Sequence, residues 1–186
     1  MEIGLTLAVD YTGSNGNPAL ATSLHYQGGL KPNSYHTAID AIGTVLQEYD
    51  SDKKVPAFGY GGLYQGTTNH CFPLNFNPAN PELPGIPAVL AAYKNTFTYV
   101  GLSGPTLFSP VLRQTLNEVK AANVSQANQK YFLLLIITDG AINDMGETID
   151  TLVEMSHYAV SVVIVGVGNA DFTASKFGFT FVVVFF

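Results

Sequence analysis

The chain carries one cysteine, no tryptophan and few charges of either sign. Cys71 stands alone, which excludes an internal disulfide and a cysteine-built zinc site and fits a reducing compartment. Lys and Arg number 8 against 14 Asp and Glu, a net charge of −6 with no basic run. That balance argues against nucleic acid as a partner and leaves no polybasic patch for anionic lipid. No apolar run reaches the roughly 18 residues of a membrane-spanning helix. The longest are Tyr131–Ile137 and Phe179–Phe186. The opening MEIGLTLAVD lacks the basic n-region of a signal peptide and reads as a strand. An intracellular, cytoplasmic setting is therefore the expectation. Several catalytic signatures are missing as well. There is no G-x-x-x-x-G-K-[ST], no G-x-S-x-G, and no third glycine after Gly166-x-Gly168. A P-loop, a hydrolase nucleophile elbow and a dinucleotide fingerprint are thus unsupported.

What is present is a globular composition, 47% hydrophobic and 12% charged over 186 residues, which suits one domain spanning 1–186. Strand-like and helix-like stretches alternate. Residues 3–10 form an apolar run, and 13–33 read as loop with a short strand at 22–26. Ser34 is placed as an N-cap for a helix over 35–50, whose apolar face is Tyr35, Ala38, Ile39, Ile42, Val45, Leu46 and Tyr49. A strand is expected at 55–60, another near 70–76, then a proline-punctuated connection and a helix over 87–98 with Val89, Leu90, Tyr93 and Phe97 inward.

Ser109 and Pro110 fit the cap and first position of a helix running to about Ala122. KYFLLLIITD, residues 130–139, is apolar without interruption, as in a parallel strand covered on both faces. Asp144 and Glu147 read as a capping-box pair for a helix that turns Ile149, Leu152 and Val153 inward. Residues 160–167 make a further buried strand, and 179–186 supply either a last strand or an atypical apolar tail over 173–186. The alternation predicts an α/β fold, a doubly wound, mostly parallel sheet flanked by helices.

Two of the apolar strands end in carboxylates, Asp10 and Asp139. Asp10, Thr12 and Ser14 stand two residues apart, offering the all-oxygen set that suits Mg²⁺, Mn²⁺ or Ca²⁺. The same residue types are ordinary turn and capping residues, so the spacing leaves both readings open. Thr106 lies in a loop ahead of a helix. In a doubly wound sheet, loops at the carboxyl ends of neighbouring strands converge, which brings these residues within reach of one ion. A D-x-D-x-T phosphotransferase is excluded by Thr12 in place of the second carboxylate. No spacing pairs Ser14 with His25, His36, His70 or His157, and the four histidines are expected at the surface or half-buried. Cys71 is expected as a small core residue.

DYTGSNG, LSGPTLFSP, IITDG and VPAFGYG together resemble the von Willebrand type A domain of the copines, and the likeness extends over about residues 3–172. YDSDKKVPAFGYG, NFNPANPELPGI and the text of Val160–Phe172 are nearer to copines than to integrin-type A domains. The resemblance implies a Rossmann-like A domain with a metal-ion-dependent adhesion site. Its ligands would be Asp10, Thr12, Ser14, Thr106 and Asp139, and its ion one divalent cation, Mg²⁺ first and Mn²⁺ or Ca²⁺ next. It implies a non-enzymatic module that takes an exposed Asp or Glu of a protein partner. Calcium-linked membrane recruitment would come from the family's lipid-binding domains, absent from these residues, so no direct membrane binding is expected of this domain alone. The alternatives are an A domain of a RING-type ubiquitin ligase-like protein, a metal-assisted hydrolase, and a degenerate copy with a structural role.

Overall fold

The computed structural model describes residues 2–140, 142–168 and 184–185. Its central strand, β1 (Glu2–Asp10), pairs in parallel with β2 (Lys54–Tyr60) on one side and β8 (Lys130–Thr138) on the other. Beyond β8 come β9 (Val160–Gly166) and β10 (Val184–Phe185), also parallel. On the far side of β2 lie two short antiparallel strands, β5 (Phe72–Pro73) and β6 (Glu82–Pro84). The order β10-β9-β8-β1-β2-β5, with β6 also on β2, makes the mostly parallel sheet that the alternation predicts.

Side chains along β1 point alternately to two cores, because the strand repeat is two residues. Leu5, Leu7 and Val9 face a cluster with Tyr35, Ala38, Ile39, Ile86, Val89 and Tyr93. Ala8 faces a second cluster with Phe108, Val111, Leu112, Leu116 and Met155. The first helical layer holds α1 (Ser34–Ala38), α2 (Thr44–Gln47) and α3 (Gly85–Thr96). The second holds α4 (Ser109–Ala121) and α5 (Met145–Met155). The uninterrupted apolar text of β8 follows from this double covering. No helix among the described residues is long and apolar enough to cross a membrane.

Several local expectations are corrected. The stretch 22–26 forms turns, not a strand. Asn33, not Ser34, caps α1, its Oδ1 accepting from the His36 N–H at 2.8 Å. The helix expected over 35–50 is interrupted by a π turn at Ile39–Gly43 and ends at Gln47. A π turn inserts an extra residue, so positions beyond it rotate off the apolar face. Val45 and Tyr49 accordingly stand 59% and 65% exposed. Gly43, within that turn, lets Ile86 of α3 close on it: a Cβ there would meet Ile86 Cδ1 at 2.7 Å.

The helix expected over 87–98 begins earlier and spans α3. The strand expected over 70–76 shrinks to β5, and a three-stranded ribbon forms from β4 (Thr67–Asn69), β3 (Gly62–Tyr64) and β7 (Val100–Leu102). On α5 the buried residues are Thr148, Thr151 and Met155, while Val153 is exposed, so the expected face is rotated. Val184 and Phe185 pair with Val165 and Gly166, in line with a last strand. The remainder of the 173–186 tail, residues 173–183 and 186, and Asp171 lie outside the described residues.

Candidate metal centre

Three loops meet at the carboxyl ends of β1 and β8. The first begins where β1 runs out at Asp10, whose side chain is fully buried. Asp10 Oδ1 accepts the Thr12 N–H at 2.8 Å and the Thr12 hydroxyl at 2.6 Å, which folds the chain back over the strand end. A 3₁₀ turn at Gly13–Asn15 follows. Asn15 Nδ2 donates to the Thr12 carbonyl at 3.1 Å, and the Ser23 hydroxyl donates to the Asn15 carbonyl at 2.9 Å. The second loop carries Thr106. Its N–H donates to Asn143 Oδ1 and its carbonyl accepts the Asn143 N–H, each at 2.8 Å. The third loop leaves β8 at Thr138-Asp139.

All five residues expected from the sequence come together. Ser14 Oγ donates to Asp139 Oδ1 at 2.8 Å, and Thr106 Oγ1 donates to Thr12 Oγ1 at 3.4 Å. Thr12 Oγ1 and Ser14 Oγ lie 3.0 Å apart. Proton bookkeeping makes this last contact informative. Each hydroxyl has one proton. With both carboxylates ionised, the Thr12 proton points to Asp10 and the Ser14 proton to Asp139, so lone pairs of the two hydroxyls face each other. A cation satisfies such an arrangement, and the donor set, two carboxylates and three hydroxyls, is of the hard-oxygen kind. Exposure is graded: Asp10, Thr12, Thr106 and Asp139 are buried, while Ser14 reaches solvent.

The electrostatics agree. Burial pushes the Asp10 carboxyl above its ordinary range, against the hydrogen bonds from Thr12 and Thr138 that lower it. Asp139 is raised to about 6, first by burial and then by the neighbouring charge of Asp10. No Lys, Arg or His among the described residues forms an ion pair with either. Among the described residues no three His, Cys, Asp or Glu side chains gather as metal ligands, here or elsewhere, so three of the five donors at this centre are hydroxyls.

The site also uses residues that the spacing did not nominate. Thr138 Oγ1 donates to Asp10 Oδ2 at 2.7 Å. Strand alternation places Thr138 beside the end of β1, a signal available only once the register is known. Asp144 does not close a box on its own helix. Its two oxygens accept the N–H groups of Phe108 and Ser109 at 3.0 and 2.8 Å, capping α4 from another loop, and Phe108 rather than Ser109 is that helix's N-cap. Glu147 accepts the Ser109 hydroxyl at 3.1 Å.

His25 is fully buried, against expectation. It stacks on Tyr35 with ring centroids 4.0 Å apart. Its Nε2 donates to the Asp10 carbonyl and its Nδ1 accepts the Tyr93 hydroxyl, each at 2.8 Å. Burial drives it down to about 3, so it stays neutral. His36 and His70 are half-buried and His157 is exposed, as expected. Cys71 packs against the second core cluster, and burial pushes its thiol up to about 12.

Comparison with known proteins gives the family and the fold. A family model described as Copine matches residues 23–177. Copine-D of Dictyostelium discoideum is 45% identical over 179 residues, 95% of this chain and 33% of that protein. The chain thus spans about a third of the length of that relative. Among solved structures, the manganese-loaded TRAP protein of Plasmodium vivax aligns with a TM-score of 0.57 at 15% identity, covering 91% of this chain and 58% of that one. Proximal thread matrix protein 1 from the mussel byssus aligns with a TM-score of 0.51 at 14% identity, over 91% of this chain and 38% of that one. At such identities the structures speak for the fold alone. The resemblance drawn from DYTGSNG, LSGPTLFSP and IITDG is borne out, and so is the flanked parallel sheet.

Proposed function

Since this chain belongs to the copine family, we propose that it is a protein-binding module whose grip depends on one divalent cation. Asp10, Thr12, Ser14, Thr106 and Asp139 would hold the ion, and an Asp or Glu carboxylate of a protein partner would complete its coordination. The observation that carries this reading is the pair of hydroxyls, Thr12 and Ser14, facing each other 3.0 Å apart between two carboxylates that have no cationic side chain. With neutral hydroxyls as direct ligands and at least one of the two aspartates reaching the ion through water, the ion stays under-neutralised in its inner shell and attracts an outside anion. Mg²⁺ is the first choice because it retains exchangeable waters, with Mn²⁺ and Ca²⁺ next. The manganese-loaded TRAP protein supports a divalent ion in this fold.

The chemistry of the site favours binding over catalysis. A metal-assisted hydrolase needs a base beside the ion. His25, the nearest histidine in the chain, has both ring nitrogens engaged and is held neutral by burial. Membrane recruitment in the manner of the family would depend on segments beyond these residues, in a cytoplasmic setting. Isothermal titration of EDTA-stripped protein with Mg²⁺, Mn²⁺ and Ca²⁺ tests the proposal. One saturable site, lost in Asp10→Ala and Thr106→Ala variants that remain folded, is the expected result. Folded protein that binds none of the three ions, alone or with an acidic partner peptide, overturns it.

A further inference from the structure

The chain has eight Lys and Arg residues, of which Lys176 lies outside the described residues, leaving seven. Five of these seven have a carboxylate within 4.0 Å: Lys53 with Glu48, Lys54 with Glu82, Arg113 with Glu147, Lys120 with Glu154 and Lys130 with Glu2. The other two, Lys31 and Lys94, have no such partner among the described residues. Both line one cavity of about 280 Å³. Tyr26, Gln27, Asn33 and His36 supply the rest of its polar wall, and no carboxylate among the described residues lines it. In a chain of net charge −6, the two cations without a carboxylate partner among the described residues share one hollow.

The hollow is held by its own bonds. Asn33 Nδ2 donates to the Tyr26 carbonyl at 3.2 Å, while Asn33 Oδ1 accepts the His36 N–H at 2.8 Å and lies 3.2 Å from the Tyr93 hydroxyl oxygen, whose proton goes to His25. One side chain thus ties the loop carrying Lys31 to the helix carrying His36 and packs against α3, which carries Lys94 next to Tyr93. The Tyr26 ring folds back over Gly28, where a Cβ would sit 2.6 Å from the tyrosine hydroxyl and would push the ring aside.

We propose that this cavity binds a phosphate monoester on a small alcohol, with the ammonium groups of Lys31 and Lys94 as counter-charges and the Gln27 and His36 side chains as further hydrogen-bond donors. Two point charges without a competing acceptor suit a compact dianion, and lysine binds phosphate in this way. The volume falls just below the roughly 300–1,000 Å³ of drug-sized pockets, which favours a small headgroup over a nucleotide. A soluble phosphate ester and a phosphorylated lipid headgroup share this chemistry. None of the lining residues belongs to the metal centre, so the proposal is independent of the ion.

The test uses the ¹⁵N-labelled chain in EDTA, titrated with glycerol 3-phosphate, and flotation with phosphatidylcholine vesicles with and without phosphatidylinositol 4-phosphate. Saturable shifts of the Lys31, His36 and Lys94 amides with glycerol 3-phosphate, weakened at least tenfold in Lys31→Gln/Lys94→Gln, assign a soluble ester. Capture only by vesicles containing the phosphoinositide, lost in the same variant, assigns the lipid headgroup. Both lysines are exposed, and the amide spectrum verifies that the variant stays folded. No binding to either probe, unchanged affinity in the variant, or equal binding of glutarate overturns the proposal.

Discussion

The hydroxyl of Thr138 donates to Asp10 Oδ2 at 2.7 Å, from the last residue of one central strand to the last residue of its neighbour. The partners lie 128 positions apart in the chain. This bond orients the deepest carboxylate of the candidate metal centre and leaves its other oxygen for Thr12 and the 3₁₀ turn.

Thr138→Val keeps the shape and removes the donor. The variant is expected to lose about 1–3 kcal/mol of stability, because a buried carboxylate oxygen is left unpaired. Its Mn²⁺ affinity is expected to fall roughly 10- to 100-fold, the usual effect of losing a partner that orients a ligand. Urea denaturation in EDTA and calorimetric titration measure the two effects separately. Unchanged values in both would remove Thr138 from the site.

Asp144 holds the N-terminus of α4 through the Phe108 and Ser109 N–H groups. Asp144→Ala is expected to cost about 1–2 kcal/mol, as for a lost helix cap. Hydrogen exchange at the Phe108 and Ser109 amides should accelerate, and because Asn143 next door binds Thr106, the Thr106 amide should follow. Exchange limited to α5 would show instead that Asp144 serves its own helix.

His25 supplies the pH dependence. Its folded value lies near 3 against an ordinary 6.5, so the folded state resists its protonation. The stability tied to the neutral ring is fully present above pH 6.5 and is lost as pH falls toward 3. At pH 5 the loss is about 2 kcal/mol. Asp139 acts in the opposite sense: raised from 3.8 to about 6, it favours the metal-free fold below its unfolded value and loses that contribution as pH rises through 6. Asp139 is common to both proteins, so denaturation of the native chain and of His25→Gln at pH 7.5 and pH 5 isolates the histidine. The native chain should weaken more between the two, and equal losses would refute the assignment.

Gly61 has φ 72°, and a Cβ there would fall inside the contact envelope of Thr12 Cγ2. Gly61→Ala is expected to cost about 2–4 kcal/mol, combining left-handed strain with overpacking. It should also weaken ion binding by displacing the Thr12 hydroxyl. Gly66→Ala is the control. Its φ is 81°, but nothing stands within 4 Å of the added carbon, so only about 1 kcal/mol of backbone strain is expected, with ion binding intact. Thermal denaturation and Mn²⁺ titration of the pair check both effects.

The core strands were legible because the apolar runs stop at carboxylates, as at Asp10 and Asp139, or at glycines, as at Gly61 and Gly166, and burial on both faces demands continuous apolar text. The cluster Asp10, Thr12, Ser14, Thr106 and Asp139 was legible for a related reason: strand ends in a parallel sheet share one edge. The short strands around residues 62–102 were not. They are paired by the ribbon they join, with little periodicity of their own. The π turn in the first helical layer was hidden because the apolar positions continue at ordinary spacing through Val45 and Tyr49, which the extra residue rotates into solvent. His25 looked like a surface residue, since no local pattern announces a ring stacked on Tyr35 and bonded to Asp10.

By itself the sequence determined the alternation of strands and helices, the double covering of the sheet and the oxygen-rich residues at its edge. These follow from hydrophobic period and residue chemistry, which are local properties. The tertiary structure alone decided which loop caps which helix, which hydroxyl orients Asp10 and which lysines go without a partner. Those are choices between groups far apart in the chain, made by the register of parallel strands and by the requirement that buried polar groups find partners.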